Sequence, residues 1–222
     1  MVENKNFKHL DTITALFVAV LIISNIASSK IVKIWFFEFD GGTIIFPLSY
    51  IFGDILTEVY GFKRSRKVIW LGFFSCGLMS IIFAIVGALK PAPGWENQEA
   101  FISILGQTPR IVIASLIAYF SGEYTNSVTL AVLKVKTEGK HLWIRTISST
   151  IVGQFVDTFL FILIAFSFVL PFDLLKNVII SNYIFKVGVE VLFTPITYFI
   201  VGKLKKIENI DYYDRDTIFS PV

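Results

Sequence analysis

The chain has 222 residues, of which 55% are hydrophobic and 17% are charged, and its formal net charge is +3. Soluble globular domains carry about 25% charged residues, so this composition indicates a membrane protein and excludes an ordinary soluble enzyme or binding domain. Because the basic residues are spread over separate loops, the charge also argues against nucleic-acid partners.

Apolar residues fall into six runs, each long enough to cross a bilayer. A hydrocarbon core of about 30 Å requires about 20 helical residues. We therefore expect an all-α, polytopic membrane protein with one six-helix domain over residues 1–207 and a short polar tail over residues 208–222. The expected transmembrane helices are approximately residues 10–29, 43–61, 68–89, 111–133, 147–170 and 182–201.

Two further segments are too short to cross the membrane. Residues 31–39 are apolar and aromatic, and we expect them to lie at the interface or to open the second helix. Residues 95–107 combine acidic residues with apolar residues at helical spacing, which fits an interfacial helix and an ordinary loop equally well.

Lys and Arg concentrate in alternate connections, which is the pattern of cytoplasmic loops. Both termini are therefore expected in the cytoplasm, in agreement with an even number of crossings. The opposite connections hold little more than Lys30, Lys33, Lys90, Arg110 and Lys176. The basic set consists of Lys5, Lys8, Lys63, Arg64, Arg66, Lys67, Lys134, Lys136, Lys140, Arg145, Lys203, Lys205, Lys206 and Arg215.

Ionisable residues inside the apolar runs are the main indication of function, because a charge at the bilayer centre costs about 2.5–3.5 kcal/mol even on insertion scales. Only one clear base, Lys186, accompanies a larger set of acids. Some of these acids must be protonated, paired near the cytoplasmic interface, or available to a ligand or an ion. The acids are Asp54, Glu58, Glu123, Asp157 and Glu190.

The spacing of these groups places them on shared helix faces. Asp54 and Glu58 are four residues apart, and Tyr50 extends their face by one turn. Spacings of three or four residues recur in the later helices, so several helices present polar groups to a common interior. The candidate substrate-binding residues are Asn25, Tyr50, Asp54, Glu123, Asn126, Gln154, Asp157, Lys186 and Glu190.

These groups have two interpretations. They could line a solute pathway, or they could only join helices by hydrogen bonds. Burying a carboxylate in the membrane costs more free energy than burying Ser or Asn, so the carboxylates favour the pathway. For single residues the alternatives stay open. Asp54 and Glu58 could form a charge network with the basic loop that follows, Lys186 and Glu190 could be an i, i+4 pair, and Asn25 could be a packing residue.

Enzymatic chemistry has little support in the sequence. The only histidines, His9 and His141, lie in predicted cytoplasmic flanks, and Cys76 is the single cysteine. A phosphate-binding loop, a dinucleotide fingerprint and a nucleophile elbow are all absent from the sequence. We therefore expect a protein that is not an enzyme, with no cofactor and no metal site.

Several short motifs stand together in the predicted helices. Their combination resembles the queuosine precursor transporter family over about residues 11–203. The resemblance implies import of a deazaguanine precursor of queuosine across the bacterial inner membrane, with the small molecule and membrane lipid as partners. The motifs are Ser24-Asn25, Gly53-Asp54-Ile55-Leu56-Thr57-Glu58-Val59-Tyr60-Gly61, Gly122-Glu123-Tyr124-Thr125-Asn126-Ser127, Arg145-Thr146, Gly153-Gln154 and Asp157-Thr158.

The implied ligand fits the candidate residues chemically. A deazaguanine presents a ring N–H beside an exocyclic amine, and a carboxylate such as Glu123 or Asp157 can accept from both. Asn126 or Gln154 can serve the remaining carbonyl and ring N–H, while an aromatic ring covers the flat face.

A cationic aminomethyl substituent would need a second carboxylate, such as Asp54 or Glu190. Proton coupling through one of the membrane carboxylates is a further hypothesis. The alternatives are a substrate-binding subunit of an energy-coupling-factor vitamin importer and, less well supported, a membrane-embedded enzyme or assembly factor.

Overall fold

The computed structural model describes residues 7–27, 31–34, 37–106, 109–168, 172–214, 217 and 219. Of the basic residues named above, Lys5, Lys30 and Arg215 lie outside these ranges. The described chain forms helices joined by short connections and one pair of strands. In order they are α1 (Leu10–Ala27), β1 (Ile31–Ile34), β2 (Phe37–Asp40), α2 (Gly42–Ile45), α3 (Pro47–Tyr60), α4 (Phe62–Ala88), α5 (Gln98–Leu105), α6 (Pro109–Lys136), α7 (Leu142–Phe166) and α8 (Phe172–Glu208).

The architecture is that of a multi-pass membrane protein. Within the described residues, 5 helical segments are long and apolar enough to cross a membrane. The predicted helix at 111–133 forms part of α6, which has 28 residues but is not among those segments. Its middle carries Glu123 and Asn126, which lower its hydropathy. The spans are Leu10–Ala27, Gly42–Tyr60, Phe62–Ala88, Leu142–Ile164 and Val178–Glu208.

Several predicted boundaries were wrong, for identifiable reasons. The helix expected at 68–89 begins at Phe62, because Lys and Arg end a hydrophobic run without ending a helix. The helix expected at 182–201 extends over Phe172–Glu208 for the same reason and contains Pro195. The helix expected at 43–61 is divided by Phe46, since Pro47 opens α3 as a first-turn proline.

The two short segments are also resolved into defined structures. Of the two alternatives for residues 31–39, the start of a helix was wrong, because β1 and β2 pair antiparallel, with Ile31 opposite Asp40. Their β-branched and aromatic residues favour strands. A position at the membrane interface stays a prediction. Of the two alternatives for residues 95–107, a short helix is present as α5.

Helix α3 lies at the centre of the bundle. Nearly all of its residues are buried, including polar ones, and it packs against α1, α4, α6 and α8. The opposite pattern holds on α4, where large apolar side chains such as Phe74, Ile81 and Ile85 are exposed. A polar interior inside an apolar exterior is the arrangement that a lipid solvent favours.

Helices α6 and α7 cross closely at two glycines. A Cβ on Gly122 would lie 2.6 Å from Asp157 Cβ and 3.0 Å from the Gly153 carbonyl oxygen. A Cβ on Gly153 would lie 2.8 Å from Asn126 Cβ. Only small residues permit this approach, which brings the polar residues of the two helices side by side.

Candidate functional site

A group of fully buried polar side chains occupies the interior between α3, α6, α7 and α8. The sequence predicted most of its members, and the structure brings them onto helices that pack against one another. Asp157 and Lys186 belong to it and are nearly buried. Those with 0% exposure are Tyr50, Asp54, Glu123, Asn126, Gln154 and Glu190.

Asp54 and Asn126 link α3 to α6. Asn126 Nδ2 donates a hydrogen bond of 2.7 Å to Asp54 Oδ1. The second carboxylate oxygen, Asp54 Oδ2, and the amide oxygen of Asn126 are buried and make no hydrogen bond with the described residues. The pair therefore keeps one acceptor on each side chain for another donor.

The carboxylate of Glu123 lies against the backbone of α3. An ideal Cβ on Gly53 would fall 1.7 Å from Glu123 Oε1, so the carboxylate occupies the space that the glycine leaves. Neither oxygen of Glu123 has a hydrogen-bond partner among the described residues. Glu123 interacts electrostatically with Asp54, Glu190 and Asp157. It is thus a deep acceptor surrounded by other acids.

Lys186 and Asp157 form a buried ion pair between α7 and α8. Lys186 Nζ lies 2.7 Å from Asp157 Oδ2 and 4.7 Å from the centre of the Phe46 ring. The alternative of an i, i+4 pair between Lys186 and Glu190 was wrong. The pair lies at the wall of a cavity of about 60 Å³, which is completed by Gly42, Thr43, Phe46, Ser115 and Phe161.

Other buried polar atoms near this site have no hydrogen-bond partner among the described residues. Both amide atoms of Gln154 and both carboxylate oxygens of Glu190 belong to this set. The hydroxyls of Tyr119, Thr150 and Thr158 belong to it as well. The sequence suggested Tyr119 only as a stacking partner and Thr158 only as part of a motif, and it did not indicate Thr150. Thr150 stands four residues before Gln154 on α7, so the helical spacing could have indicated that the two side chains share one face.

Asn25 stands at the edge of the site. Its Nδ2 donates to the Leu21 carbonyl at 2.9 Å and lies 3.7 Å from Cys76 Sγ. Its Oδ1 accepts from Ser115 Oγ at 3.5 Å. Asn25 therefore joins α1 to α4 and α6, and Ser115 connects it to the wall of the Lys186 cavity.

Glu58 belongs to a separate charge network at the end of the bundle where α1 begins and α8 ends, which we call the terminal end. Arg145 Nη2 and Lys205 Nζ each lie 2.7 Å from Glu58 Oε1. The sequence suggested that Glu58 would pair with basic residues of the loop after α3, but these two bases come from α7 and α8. These pairs could not be recognised from the sequence, because Arg145 and Glu58 are 87 residues apart in the chain.

The chain after α8 completes this network. Asp211 lies 2.7 Å from Lys134 Nζ and 2.9 Å from Lys205 Nζ. Although partial burial opposes the effect, hydrogen bonds from both lysines hold the pKa of Asp211 below its ordinary value. Asp214 accepts the backbone N–H of Phe62 at 3.0 Å and so caps α4. The described part of the tail is therefore packed onto the bundle.

The two clusters have different chemical capacities. At the terminal end the acids are matched by bases, which suits a structural joint. In the interior Glu123, Gln154 and Asn126 offer acceptors and donors that no other described residue uses, beside the Lys186–Asp157 pair. A planar polar ligand with several N–H groups matches the interior cluster.

Comparison with known proteins gives consistent matches. A family model described as "putative vitamin uptake transporter" matches residues 40–200. The "probable queuosine precursor transporter" of Bacillus subtilis (strain 168) is 31% identical over 180 residues, which cover 80% of this chain and 78% of that protein. No solved structure matches the chain significantly.

Two further relatives are more distant. The "probable queuosine precursor transporter" of Haemophilus influenzae is 28% identical over 130 residues, which cover 59% of this chain and 53% of that protein. The "queuosine precursor transporter" of Escherichia coli (strain K12) is 23% identical over 164 residues, which cover 74% and 72% of the two chains.

Proposed function

The chain belongs to the vitamin uptake transporter family, and from that membership we propose that it imports a queuosine precursor, a deazaguanine-type base, across the bacterial inner membrane. The names of its relatives support the substrate class. The buried interior cluster supports the same class on independent, chemical grounds.

One observation carries the proposal: Glu123 and Gln154 are fully buried, and none of their side-chain oxygen and nitrogen atoms has a partner among the described residues. Leaving such groups without hydrogen bonds is costly, so they are best explained as groups that bind a ligand. The Glu123 carboxylate would accept the ring N–H and exocyclic amine of the base. The Gln154 amide would serve its carbonyl and remaining N–H.

Neighbouring residues would complete the binding site. The free Oδ1 of Asn126 adds an acceptor on the same helix as Glu123. The rings of Tyr50 and Tyr119 are buried and lie within electrostatic range of Glu123, so either could cover the flat face of the base. Asp157, with Lys186 bound to it, would mark the side of the site next to the cavity.

Transport requires this site to open. The cavity beside Lys186 holds about 60 Å³, well below the roughly 300 Å³ at which small-molecule pockets begin. We infer that the described conformation is closed and that helix movement admits the base. The close glycine crossing of α6 and α7 would keep that pair together while other helices move.

We also propose a six-crossing topology, with α6 as the additional membrane helix. Its length of 28 residues is sufficient, and Lys134 near its end reaches Asp211 at the terminal end. The polar residues that lower its hydropathy face the interior and not lipid. The concentration of Lys and Arg at the terminal end supports an orientation with both termini and the tail after α8 in the cytoplasm.

The test is uptake in bacterial cells that neither make queuosine precursors nor possess an importer of their own. Each candidate precursor base is supplied at low concentration, and queuosine in tRNA is scored on a boronate gel. We expect modified tRNA with this protein and none with Glu123→Gln or Gln154→Ala. The matched control is Glu99→Gln, which changes an exposed carboxylate on α5 and should leave uptake unchanged.

A transporter that is present in the membrane but gives no modified tRNA would contradict the proposed substrate. If uptake appears only when separate ATPase subunits are coexpressed, the chain is the substrate-binding part of a larger importer. Measurement with and without such subunits separates the two outcomes.

A further inference from the structure

Three buried carboxyl groups lack a counter-charge among the described residues. Asp54, Glu123 and Glu190 are each fully buried, and none lies in a salt bridge within that part of the chain. Lys186, which stands four residues before Glu190 on α8, is bound to Asp157 at 2.7 Å. The interior therefore holds more acid than base.

The bases at the terminal end are also engaged. Lys205 and Arg145 contact Glu58, while Lys134 contacts Asp211. These contacts belong to the terminal network, whose Glu58 is itself paired and adds a further acid that acts on Asp54. Among the described residues no base forms a salt bridge with the three interior acids.

The three acids act on one another. Asp54 interacts electrostatically with both Glu123 and Glu190, and Glu123 also interacts with Glu190. Three ionised carboxylates without a cation cannot share a buried, low-dielectric site, because each would bear the cost of desolvation and the repulsion of the others. In the closed conformation the cluster must therefore hold protons.

The titratable groups that face the cluster come from each packed helix. Helix α3 contributes Tyr50 and also Glu58, which interacts electrostatically with Asp54. Helix α6 contributes Tyr119, α7 contributes Asp157 and α8 contributes Lys186. Helix α4 contributes Cys76, which lies near Tyr119. Among them Lys186 is the one cation, and Asp157 already balances it. The facing groups therefore do not supply the missing charge.

We propose that Asp54 and Glu190 form a proton-coupling site, which takes up one proton together with the substrate at Glu123 and releases it when the site opens to the cytoplasm. This inference rests on the proposed transport function. Asp54 Oδ2 and both oxygens of Glu190 are without a hydrogen-bond partner among the described residues, so the pair is free to carry that proton. No group of His, Cys, Asp and Glu among those residues has the arrangement to hold a metal ion.

The coupling follows from charge. A base that donates two N–H groups to Glu123 stabilises the ionised carboxylate of that residue. The negative charge disfavours ionisation of Asp54 and Glu190, so substrate binding promotes protonation of the pair. Linkage requires the reverse as well, and protonation of the pair promotes substrate binding. When the site opens to the cytoplasm, where the proton activity is lower, the pair ionises and the substrate is released.

The experiment uses the purified full-length protein in proteoliposomes with radiolabelled 7-deazaguanine, which is uncharged. Membrane potential is clamped with potassium and valinomycin, and the outside is made one pH unit more acidic than the inside. Symport of one proton per base gives about tenfold accumulation, since one pH unit is a tenfold proton ratio. A protonophore should abolish accumulation and leave exchange of labelled for unlabelled base intact.

Variants test the assignment. Glu190→Gln should retain exchange and lose the gradient-driven accumulation, and Asp54→Asn should do the same. The control Glu99→Gln should behave as the wild type. If the wild type exchanges the base but ignores the pH gradient, proton coupling is refuted while the transport function stands, whatever the variants do. If the wild type shows no exchange, the proposed function itself fails and the coupling fails with it.

Discussion

Replacing Gly53 with alanine should displace the carboxylate of Glu123 and leave the fold intact. A Cβ at position 53 would lie 1.7 Å from Glu123 Oε1 and 2.7 Å from its Cδ. Ordinary contact requires about 3.5 Å, so the carboxylate must move by about 2 Å. The colliding atoms are the end of a flexible side chain, which can rotate without moving α3 or α6.

The expected magnitudes differ for stability and for binding. Alanine is the better helix former by about 1 kcal/mol, which offsets the cost of moving the Glu123 side chain. Loss of hydrogen bonds to a charged acceptor costs about 1.5–3 kcal/mol, or roughly 10- to 150-fold in Kd. Gly53→Ala should therefore weaken binding of 7-deazaguanine by one to two orders of magnitude while the Tm changes little.

The assay measures both quantities on the same detergent-purified protein, with Tm from thermal unfolding and Kd from equilibrium binding of the labelled base. Gly77→Ala is the matched control, because a Cβ there meets nothing within 4 Å and the residue lies in α4. That variant should keep the wild-type Kd. If Gly53→Ala binds as tightly as the wild type, Glu123 does not contact the ligand from its described position.

Three further substitutions test the packing. Gly122→Ala should destabilise by about 1–3 kcal/mol, because its Cβ would lie 2.6 Å from Asp157 Cβ, which cannot rotate away from its backbone; an unchanged Tm would contradict the close helix crossing. Asp214→Ala should lower stability by about 1–2 kcal/mol through loss of the cap on α4, with Asp214→Asn milder by the same thermal assay. Lys186→Ala should cost about 3–5 kcal/mol by leaving Asp157 unpaired, and adding Asp157→Ala should recover part of that loss.

Hydrophobic run length and intramembrane charge predicted much of the architecture. The acids that the sequence singled out are buried, because only a protein interior can hold them in a membrane. Glu123, however, also lowers the hydropathy of α6, and this helix is not among the described helices that are apolar enough to be recognised as membrane spans. A polar face that serves the interior thus weakens the signal that identifies the helix.

Pairing between helices could not be predicted from the sequence. Lys186 stands four residues before Glu190, yet it binds Asp157, which lies 29 residues away. Helical spacing gives the neighbours on one helix, whereas the partner across an interface depends on how helices rotate and pack. Gly53 shows the same limit, since only the packed structure reveals that its missing side chain makes room for Glu123.

The most direct measurement of the central claim is accumulation of labelled 7-deazaguanine by proteoliposomes that contain only this protein. We predict saturable uptake that unlabelled 7-deazaguanine suppresses, and that Glu123→Gln reduces by at least about tenfold without loss of folded protein. Uptake by Glu123→Gln at the wild-type rate, or uptake that does not saturate, would contradict the assignment of this buried cluster as the substrate site.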